Sequence, residues 1–276
     1  MSKQNPFDQK KKAILEQINS LEPDLSPKGT IDQLCLPIIN LINSHKDMVT
    51  TSSCSGRISV FVEGAKLINK EEAKSGGKGL GGRWLFVSHE QSEVLDWLNN
   101  ILNIEQIRFQ LVDDTNYEFD NSVRYILYKY EPFILHVKCR DFQTASKLFN
   151  VAMSCGFRES GIGSNNIVAI RINIKLDVPI GFLDEKKNNL LTFFVSKQYI
   201  NDVLNKLTLS KFVENKRKMD ELYIKIDKEI ISTPLDSNSN TKLELKETKQ
   251  QRRERKRKEG LERQRQLKTK SSTEVL

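Results

Sequence analysis

Paired cysteines, histidines and long apolar runs are all scarce in this sequence. Its 276 residues include 4 cysteines and 3 histidines, and no two cysteines form a CxxC pair. This spacing argues against a disulfide framework and against a zinc site. No stretch of about 18 apolar residues occurs, so no membrane-spanning helix is expected. The N-terminal MSKQNPFDQKKK has no apolar core typical of a secretory signal, which favours a cytoplasmic location.

Excess positive charge is nearly absent from the first 240 residues and is concentrated at the C-terminal end. The formal net charge is +8, and residues 241–276 contain 13 Lys and Arg against 6 Glu. A tail of this kind predicts salt-sensitive contact with RNA phosphates. A nuclear-import signal and a solvated charge run remain open as alternatives. The candidate RNA-binding residues are Arg252, Arg253, Arg255, Lys256, Arg257 and Lys258.

The apolar residues alternate irregularly between strand and helix spacing, without an internal repeat. This pattern predicts an α+β fold with a mixed or antiparallel sheet and flanking helices. It predicts a single domain over 1–231, followed by a linker and a disordered or helical basic tail over 232–276. The predicted strands are 57–62, 83–87, 106–112, 123–130, 133–139 and 166–174, and the main predicted helices are 7–20, 90–102, 141–155 and 196–230.

A further helix is predicted to begin near residue 30. Thr30 and Gln33 match a capping box, and the apolar residues that follow share one helical face. Pro37 is expected to kink or delay this helix, because proline removes a backbone donor.

Five glycines between residues 71 and 82 raise the question of a nucleotide-binding loop. A dinucleotide fingerprint requires a strand before the glycines and a helix after them, whereas here the strand RWLFV follows. The segment is therefore predicted to be a hairpin loop. This order also argues against the doubly wound methyltransferase fold.

The segment TTSSCSGR (50–57) is unusually rich in hydroxyl groups for a connection between a helix and a strand. Such a segment can form a nest of backbone N–H groups that binds a carboxylate or a phosphate, with an arginine completing the site. A serine-rich turn with a surface arginine is the simpler alternative. The candidate binding residues are Ser52, Ser53, Cys54, Ser55, Gly56 and Arg57.

Two histidines and one arginine lie in or beside predicted strands. His89 closes RWLFVSH, His136 lies within FILHVKC, and Arg171 lies within VAIRINI. Each of the three is either an ordinary sheet residue or part of a ligand site, and their spacing alone does not decide between the two.

Several long segments resemble the third wybutosine-synthesising protein family of eukaryotes and archaea. The resemblance covers residues 7 to about 230 and leaves out the basic tail. The segments that carry it are TSSCSGRISVF (51–61), WLFVSH (84–89), YEPFILHVKCR (130–140), AMSCGFRESGI (152–162) and VAIR (168–171).

The resemblance implies an activity and a partner. Members of the family use S-adenosyl-L-methionine to methylate N4 of the 4-demethylwyosine intermediate, which carries an aminocarboxypropyl side chain, at guanosine 37 of phenylalanine tRNA. The expected partner is therefore the anticodon loop of tRNA-Phe, with transient contact to other enzymes of the pathway, and no membrane or metal is expected. The implied fold is the family's own α+β fold.

Roles for individual residues follow from this chemistry as hypotheses. A neutral histidine can accept the proton that N4 loses, and His136 is favoured over His89 because its segment is the denser signature. Arg57 and Arg171 are candidates for binding the carboxylates of cofactor and substrate, or a phosphate. The remaining candidates are Trp84 and Phe133 for stacking, with burial in the core as the alternative, and Ser160 and Gly161 for close backbone approach.

Two other functions remain open. A non-catalytic tRNA-binding module would use the basic tail as an arm and the SSCSGR segment as a phosphate site. A small-molecule methyltransferase would not need the tail at all.

Overall fold

The computed structural model describes residues 5–20, 29–65, 81–111 and 123–232. Most of the predicted hairpin loop 71–82 and the basic tail lie outside these ranges. The predicted boundary between the domain and the tail stays a prediction.

In the part of the chain that the structure describes, ten strands form two sheets. The four-stranded sheet has the order β1-β6-β8-β7 and is antiparallel throughout, and the six-stranded sheet has the order β3-β2-β5-β9-β10-β4 with one parallel pair, β10 and β4. The predicted α+β fold with mixed and antiparallel pairing is confirmed. The strands are β1 Met48–Cys54, β2 Arg57–Val62, β3 Arg83–Ser88, β4 Ile107–Phe109, β5 Tyr125–Glu131, β6 Ile134–Cys139, β7 Gly161–Ile162, β8 Ile167–Arg171, β9 Leu176–Asp184 and β10 Leu190–Phe193.

Six α-helices flank the sheets within the described residues. Short 3-10 turns occur at Gln33–Cys35 and Gln91–Val94, and π-helical turns at Ile200–Asn205 and Asp227–Ile231 make residues 197–231 one continuous helical segment. No helix among the described residues is long and apolar enough to cross a membrane. The α-helices are α1 Pro6–Ile18, α2 Leu36–Ser44, α3 Trp97–Leu102, α4 Phe142–Ser154, α5 Lys197–Tyr199 and α6 Lys206–Ile226.

The predicted helix ends near residues 141 and 156 are confirmed. The Asp141 carboxylate accepts a hydrogen bond from the Thr144 backbone N–H at 2.7 Å, and Gly156 follows the helix with a φ of +91°. Phe142, in the first turn of this helix, is 65% exposed.

The predicted capping box is also wrong. Asp32, and not Thr30, precedes the first turn, and α2 begins only at Leu36. Pro37 therefore lies in the first turn of α2, where a backbone N–H has no acceptor within the helix. The missing N–H of proline costs no hydrogen bond there, and Pro37 does not kink the helix.

Two chain segments pass directly from one sheet to the other. β1 continues into β2 through Ser55 and Gly56, and β5 continues into β6 through 132 and 133. Gly56 has a φ of +103°, and a Cβ added there would lie 3.2 Å from the Tyr130 hydroxyl and from the Glu131 carbonyl oxygen. Glycine is thus required where the first segment turns between the sheets.

Helix α6 packs on both hydrophobic cores. Its Phe212 belongs to the core of the six-stranded sheet, whereas Met219, Leu222 and Ile226 belong to the core of the four-stranded sheet. The buried positions recur every three or four residues, which produces one stripe along the helix. One helix therefore covers parts of both sheets.

Buried polar groups on α6 bind the segments that connect the sheets. Asn215 is 2% exposed; its side-chain amide donates to the Ser55 carbonyl oxygen, and its own oxygen accepts from the Phe133 N–H, both at 2.8 Å. Buried backbone groups need hydrogen-bond partners, and this one side chain supplies a partner to one backbone group in each of the two segments that pass between the sheets.

We expect the substitution Gly181→Ala to destabilise the six-stranded sheet. A Cβ at this position would overlap the Thr192 carbonyl oxygen and approach the Phe193 Cα to 3.0 Å. Overpacking against backbone costs about 1–3 kcal/mol. Urea unfolding should show this loss in the free energy of unfolding. Gly161→Ala is the matched control, because no atom lies within 4 Å of a Cβ added there, and an equal loss in both variants would contradict the packing argument.

Candidate active site

A row of residues crosses the four-stranded sheet in register. Gly161 on β7 lies opposite Ala169 on β8, which lies opposite His136 on β6, which lies opposite Ser52 on β1. Directly paired residues point to the same face of a sheet. The residues that alternate with this row along the strands, such as Leu135 on β6, point to the reverse face and are buried in the core. The row therefore lies on the open face of the sheet.

His136 is held by groups at both ring nitrogens. Its Nδ1 lies 2.8 Å from the Ser52 hydroxyl oxygen, and its Nε2 lies 3.5 Å from a terminal guanidinium nitrogen of Arg171. Because a guanidinium group only donates, we assign the lone pair to Nε2 and the proton to Nδ1, which then donates to Ser52.

The environment of His136 favours its neutral form. Partial burial lowers the pKa of the imidazole below its ordinary value, and the positive charge of Arg171 lowers it further. A histidine that is neutral at physiological pH, with a lone pair on its outer nitrogen, can accept a proton.

The neighbours of His136 leave room above the sheet. Ala169 has a small side chain, and a Cβ built on Gly161 would meet nothing within 4 Å. The Ser160 hydroxyl oxygen accepts a hydrogen bond from the Arg171 backbone N–H at 3.1 Å, which fixes the end of β8. The structure thus brings together Ser52, His136, Ser160, Gly161 and Arg171, all of which were predicted as site residues.

His89 lies in a second cluster. Its Nε2 is 3.7 Å from a carboxylate oxygen of Asp32, and the same Asp32 oxygen accepts the Ser55 backbone N–H at 2.8 Å. The Cys54 sulfur lies within 4.8 Å of both the Asp32 and the His89 ligand atoms. Burial raises the pKa of the Cys54 thiol.

The predicted N–H nest is wrong for most of its residues. Ser52, Ser53 and Cys54 are extended within β1 and pair with β6, and the N–H of Ser55 is already bound to Asp32. The run of hydroxyl residues reflects a strand with one face exposed rather than a loop of converging N–H groups.

Arg57 and Trp84 lie on the six-stranded sheet and contact one another. The Arg57 Nε donates to the Glu131 carboxylate at 2.6 Å, and its guanidinium carbon lies 5.5 Å from the centre of the Trp84 ring. The Trp84 ring also lies 5.3 Å from that of Phe61, at an angle of 54°. Both predicted binding residues are therefore engaged by protein neighbours on a different sheet from His136.

Phe133 is a core residue, which makes its predicted stacking role wrong. It is 1% exposed, and its ring packs edge-on against Phe157 with centres 6.0 Å apart. No face of the ring is open to a base. Its place at the crossing between β5 and β6 explains why an aromatic residue is buried there.

Sequence reasoning missed Asp32. It lies far along the chain from Cys54 and His89, and its position before a helical turn is typical of an ordinary capping residue. Only the fold brings the three side chains together. The tail residues from Arg252 to Lys258 lie outside the described residues.

Together, the α+β fold and the neutral histidine on an open sheet face define the site of an enzyme. This fold differs from the doubly wound nucleotide-binding fold. The model of the family described as methyltransferase TYW3 matches residues 9–228. The chain belongs to this family and is a methyltransferase. The family resemblance predicted from the sequence segments is confirmed.

Similar proteins extend this match. The chain is 61% identical over 271 residues to tRNA wybutosine-synthesizing protein 3 of Saccharomyces cerevisiae, covering 98% of each chain. It is 42% identical over 227 residues to the protein of the same name from Schizosaccharomyces pombe, covering 81% of this chain and 88% of that one. The solved structure of the PH1069 protein from Pyrococcus horikoshii OT3 superposes with a TM-score of 0.58 at 27% identity, covering 82% and 95% of the two chains.

Proposed function

We propose that this methyltransferase transfers a methyl group from S-adenosyl-L-methionine to N4 of the 4-demethylwyosine intermediate at guanosine 37 of phenylalanine tRNA. The family match and the names of its curated relatives support a step of wybutosine biosynthesis. The row from Ser52 to Gly161 is the structural observation that carries the proposal, since it combines a proton acceptor with open space.

The residues of the open sheet face fit a cofactor that carries a carboxylate. Arg171 is exposed and offers guanidinium donors, and the space above Gly161 and Ala169 can accept an extended ligand. A guanidinium group pairs well with a carboxylate, which both the cofactor and the aminocarboxypropyl side chain contain. When bound, S-adenosyl-L-methionine supplies an electrophilic methyl group on a sulfonium.

The chain's own contribution is to align the reactants and to remove a proton. N4 would lose its proton to the His136 Nε2 as its bond to the methyl carbon forms and the bond from that carbon to the sulfonium sulfur breaks, which leaves a neutral thioether. Ser52 accepts the Nδ1 hydrogen bond and so stabilises the resulting imidazolium and its orientation. Holding two reactants in line supplies a large part of the rate enhancement of such a transfer.

The proposal is tested with purified protein, labelled S-adenosyl-L-methionine and bulk tRNA from cells that lack this activity. Nucleoside mass spectrometry should show one added methyl group on the demethylwyosine nucleoside and on no other. Bound tRNA without methyl transfer, and no heat of cofactor binding by calorimetry, would support a non-catalytic tRNA-binding module instead. Methylation of the free nucleoside as fast as of tRNA would support a small-molecule enzyme.

We expect the substitution Arg171→Ala to move the acid limb of the pH–rate profile to higher pH. The guanidinium charge lowers the pKa of His136, so its loss raises that pKa and the base is protonated sooner as pH falls. Burial remains the larger cause, so the limb should stay below that of a free imidazole, near 6.5. The profile is measured as kcat against pH. Arg217→Ala, an exposed arginine paired with Glu221 on α6, is the control, and an unmoved limb in Arg171→Ala would contradict the role of its charge.

The tail, the partners and the location remain proposals. The basic residues from Arg252 to Lys258 suit contact with tRNA phosphates outside the anticodon loop. Transient contact with other enzymes of wybutosine biosynthesis and a cytoplasmic location fit this function, and nuclear import through the tail stays open.

A further inference from the structure

We propose that Asp32, Cys54 and His89 form a binding site for a divalent transition-metal cation of the zinc type. The carboxylate, thiolate and imidazole of this cluster are the three ligand types that zinc takes in proteins. Their ligand atoms all lie within 4.8 Å of one another. The cluster shares strand β1 with the His136 row, and its proposed role goes beyond the proposed methyl transfer.

The geometry is close to that of a tetrahedral site. Metal bonds of about 2.0–2.3 Å at tetrahedral angles place ligand atoms roughly 3.3–3.8 Å apart. The 3.7 Å between the Asp32 oxygen and the His89 Nε2 already falls in this range. The Cys54 sulfur, within 4.8 Å of the other two ligand atoms, needs a shift of up to about 1.3 Å to reach the roughly 3.5 Å expected between sulfur and an oxygen or nitrogen ligand, which a side-chain rotation supplies.

The surroundings of Asp32 resemble those of a metal ligand. The Ser55 backbone N–H binds the same carboxylate oxygen at 2.8 Å and fixes its direction, as partners of ligating carboxylates do. Asp32 is 7% exposed, and its carboxylate already has the Ser55 N–H and the His89 ring as partners. A dication bound by one carboxylate, one thiolate and one neutral imidazole forms a complex without net charge.

The three ligands come from separate parts of the chain. Asp32 precedes the turn before α2, Cys54 ends β1, and His89 follows β3. A bound cation would therefore link a strand of the four-stranded sheet to a strand of the six-stranded sheet. Cys54 and His89 are both partly exposed, the His89 side chain by 16%, and the fourth coordination position would be taken by water or a ligand group.

Cobalt is the probe that tests this site. Chelator-treated full-length protein is titrated with Co²⁺, whose thiolate bond absorbs in the near ultraviolet. We expect one equivalent to bind, the absorption to vanish in Cys54→Ala, and Zn²⁺ to displace the cobalt. Cys155→Ala and His45→Ala are the matched controls, and both should keep the absorption. Cys155 lies in the core of the four-stranded sheet, and His45 lies in the loop before β1.

The substitution Asp32→Asn separates metal binding from folding. Asparagine retains an oxygen that accepts the Ser55 N–H, so the metal-free variant should melt near the metal-free wild type, but its Co²⁺ affinity should fall at least tenfold. Zn²⁺ should raise the melting temperature of the wild type and not of this variant. No cobalt–thiolate absorption in the wild type, or its persistence in Cys54→Ala, would overturn the proposal without affecting the methyl-transfer assay.

Discussion

Replacing His136 with alanine is expected to lower kcat for methyl transfer by about 10²- to 10⁴-fold, the usual contribution of a positioned general base. The loss should appear in kcat rather than in tRNA affinity, because His136 acts on the proton of N4 and tRNA binding draws on a much larger surface. Single-turnover methylation with saturating tRNA measures the step directly. His136 is partly exposed on the open sheet face, so its removal should leave the core intact.

Two comparisons make this test specific. Imidazole added to the buffer should restore part of the rate to His136→Ala, because the truncated side chain leaves space for the free base. His45→Ala removes a histidine from the loop before β1 and should retain the wild-type kcat. A His136→Ala variant that keeps kcat within threefold of the wild type would refute the role of this residue as the base.

The largest stability effect is expected for Asn215→Ala. This change removes a side-chain hydrogen-bond partner of the Ser55 carbonyl oxygen and of the Phe133 N–H, and both residues are buried. Each orphaned buried group costs about 1–3 kcal/mol. The free energy of unfolding should therefore fall by about 2–6 kcal/mol, measured by urea denaturation.

Asn100→Ala provides the same chemical change on an exposed face of α3. It should alter the free energy of unfolding by no more than about 0.5 kcal/mol. Equal losses in the two variants would show that the bonds of Asn215 to the crossings contribute little. The two segments that pass between the sheets adjoin β1, which carries Ser52, and β6, which carries His136. The Asn215→Ala variant should therefore also lose activity at temperatures below its melting point.

Much of the fold was predictable, because many elements keep a regular apolar spacing and clear ends. Strand β2, helix α4 with its Asp141 cap and the long C-terminal helical segment were predicted close to their observed bounds. Strand β1 was missed because its exposed half is made of serine and threonine, which resemble a loop in sequence. The start of α2 was misplaced because Asp32 binds Ser55 instead of following a local capping pattern.

Individual candidate residues could be named from the sequence, and their grouping in space could not. His136, Ser52 and Arg171 were all candidates, but strand register brings them together across 84 and 35 residues of sequence. Phe133 and Arg57 were reasonable candidates by residue type. Phe133 is instead buried in the core, and Arg57 forms an ion pair with Glu131, so neither lies on the open face. Local sequence carries no information on such distant pairing, which is why Asp32 was overlooked.

Helix α6 has a consequence for how the chain matures on the ribosome. Since this one late segment packs on both cores, neither sheet can finish burying its apolar face until residues beyond 206 have left the exit tunnel. At about 5–20 residues per second, the nascent chain spends roughly 10–40 s with both cores incomplete. Chaperone capture during synthesis should therefore concentrate on chains shorter than this helix, and premature termination before it should yield aggregation rather than a smaller folded product.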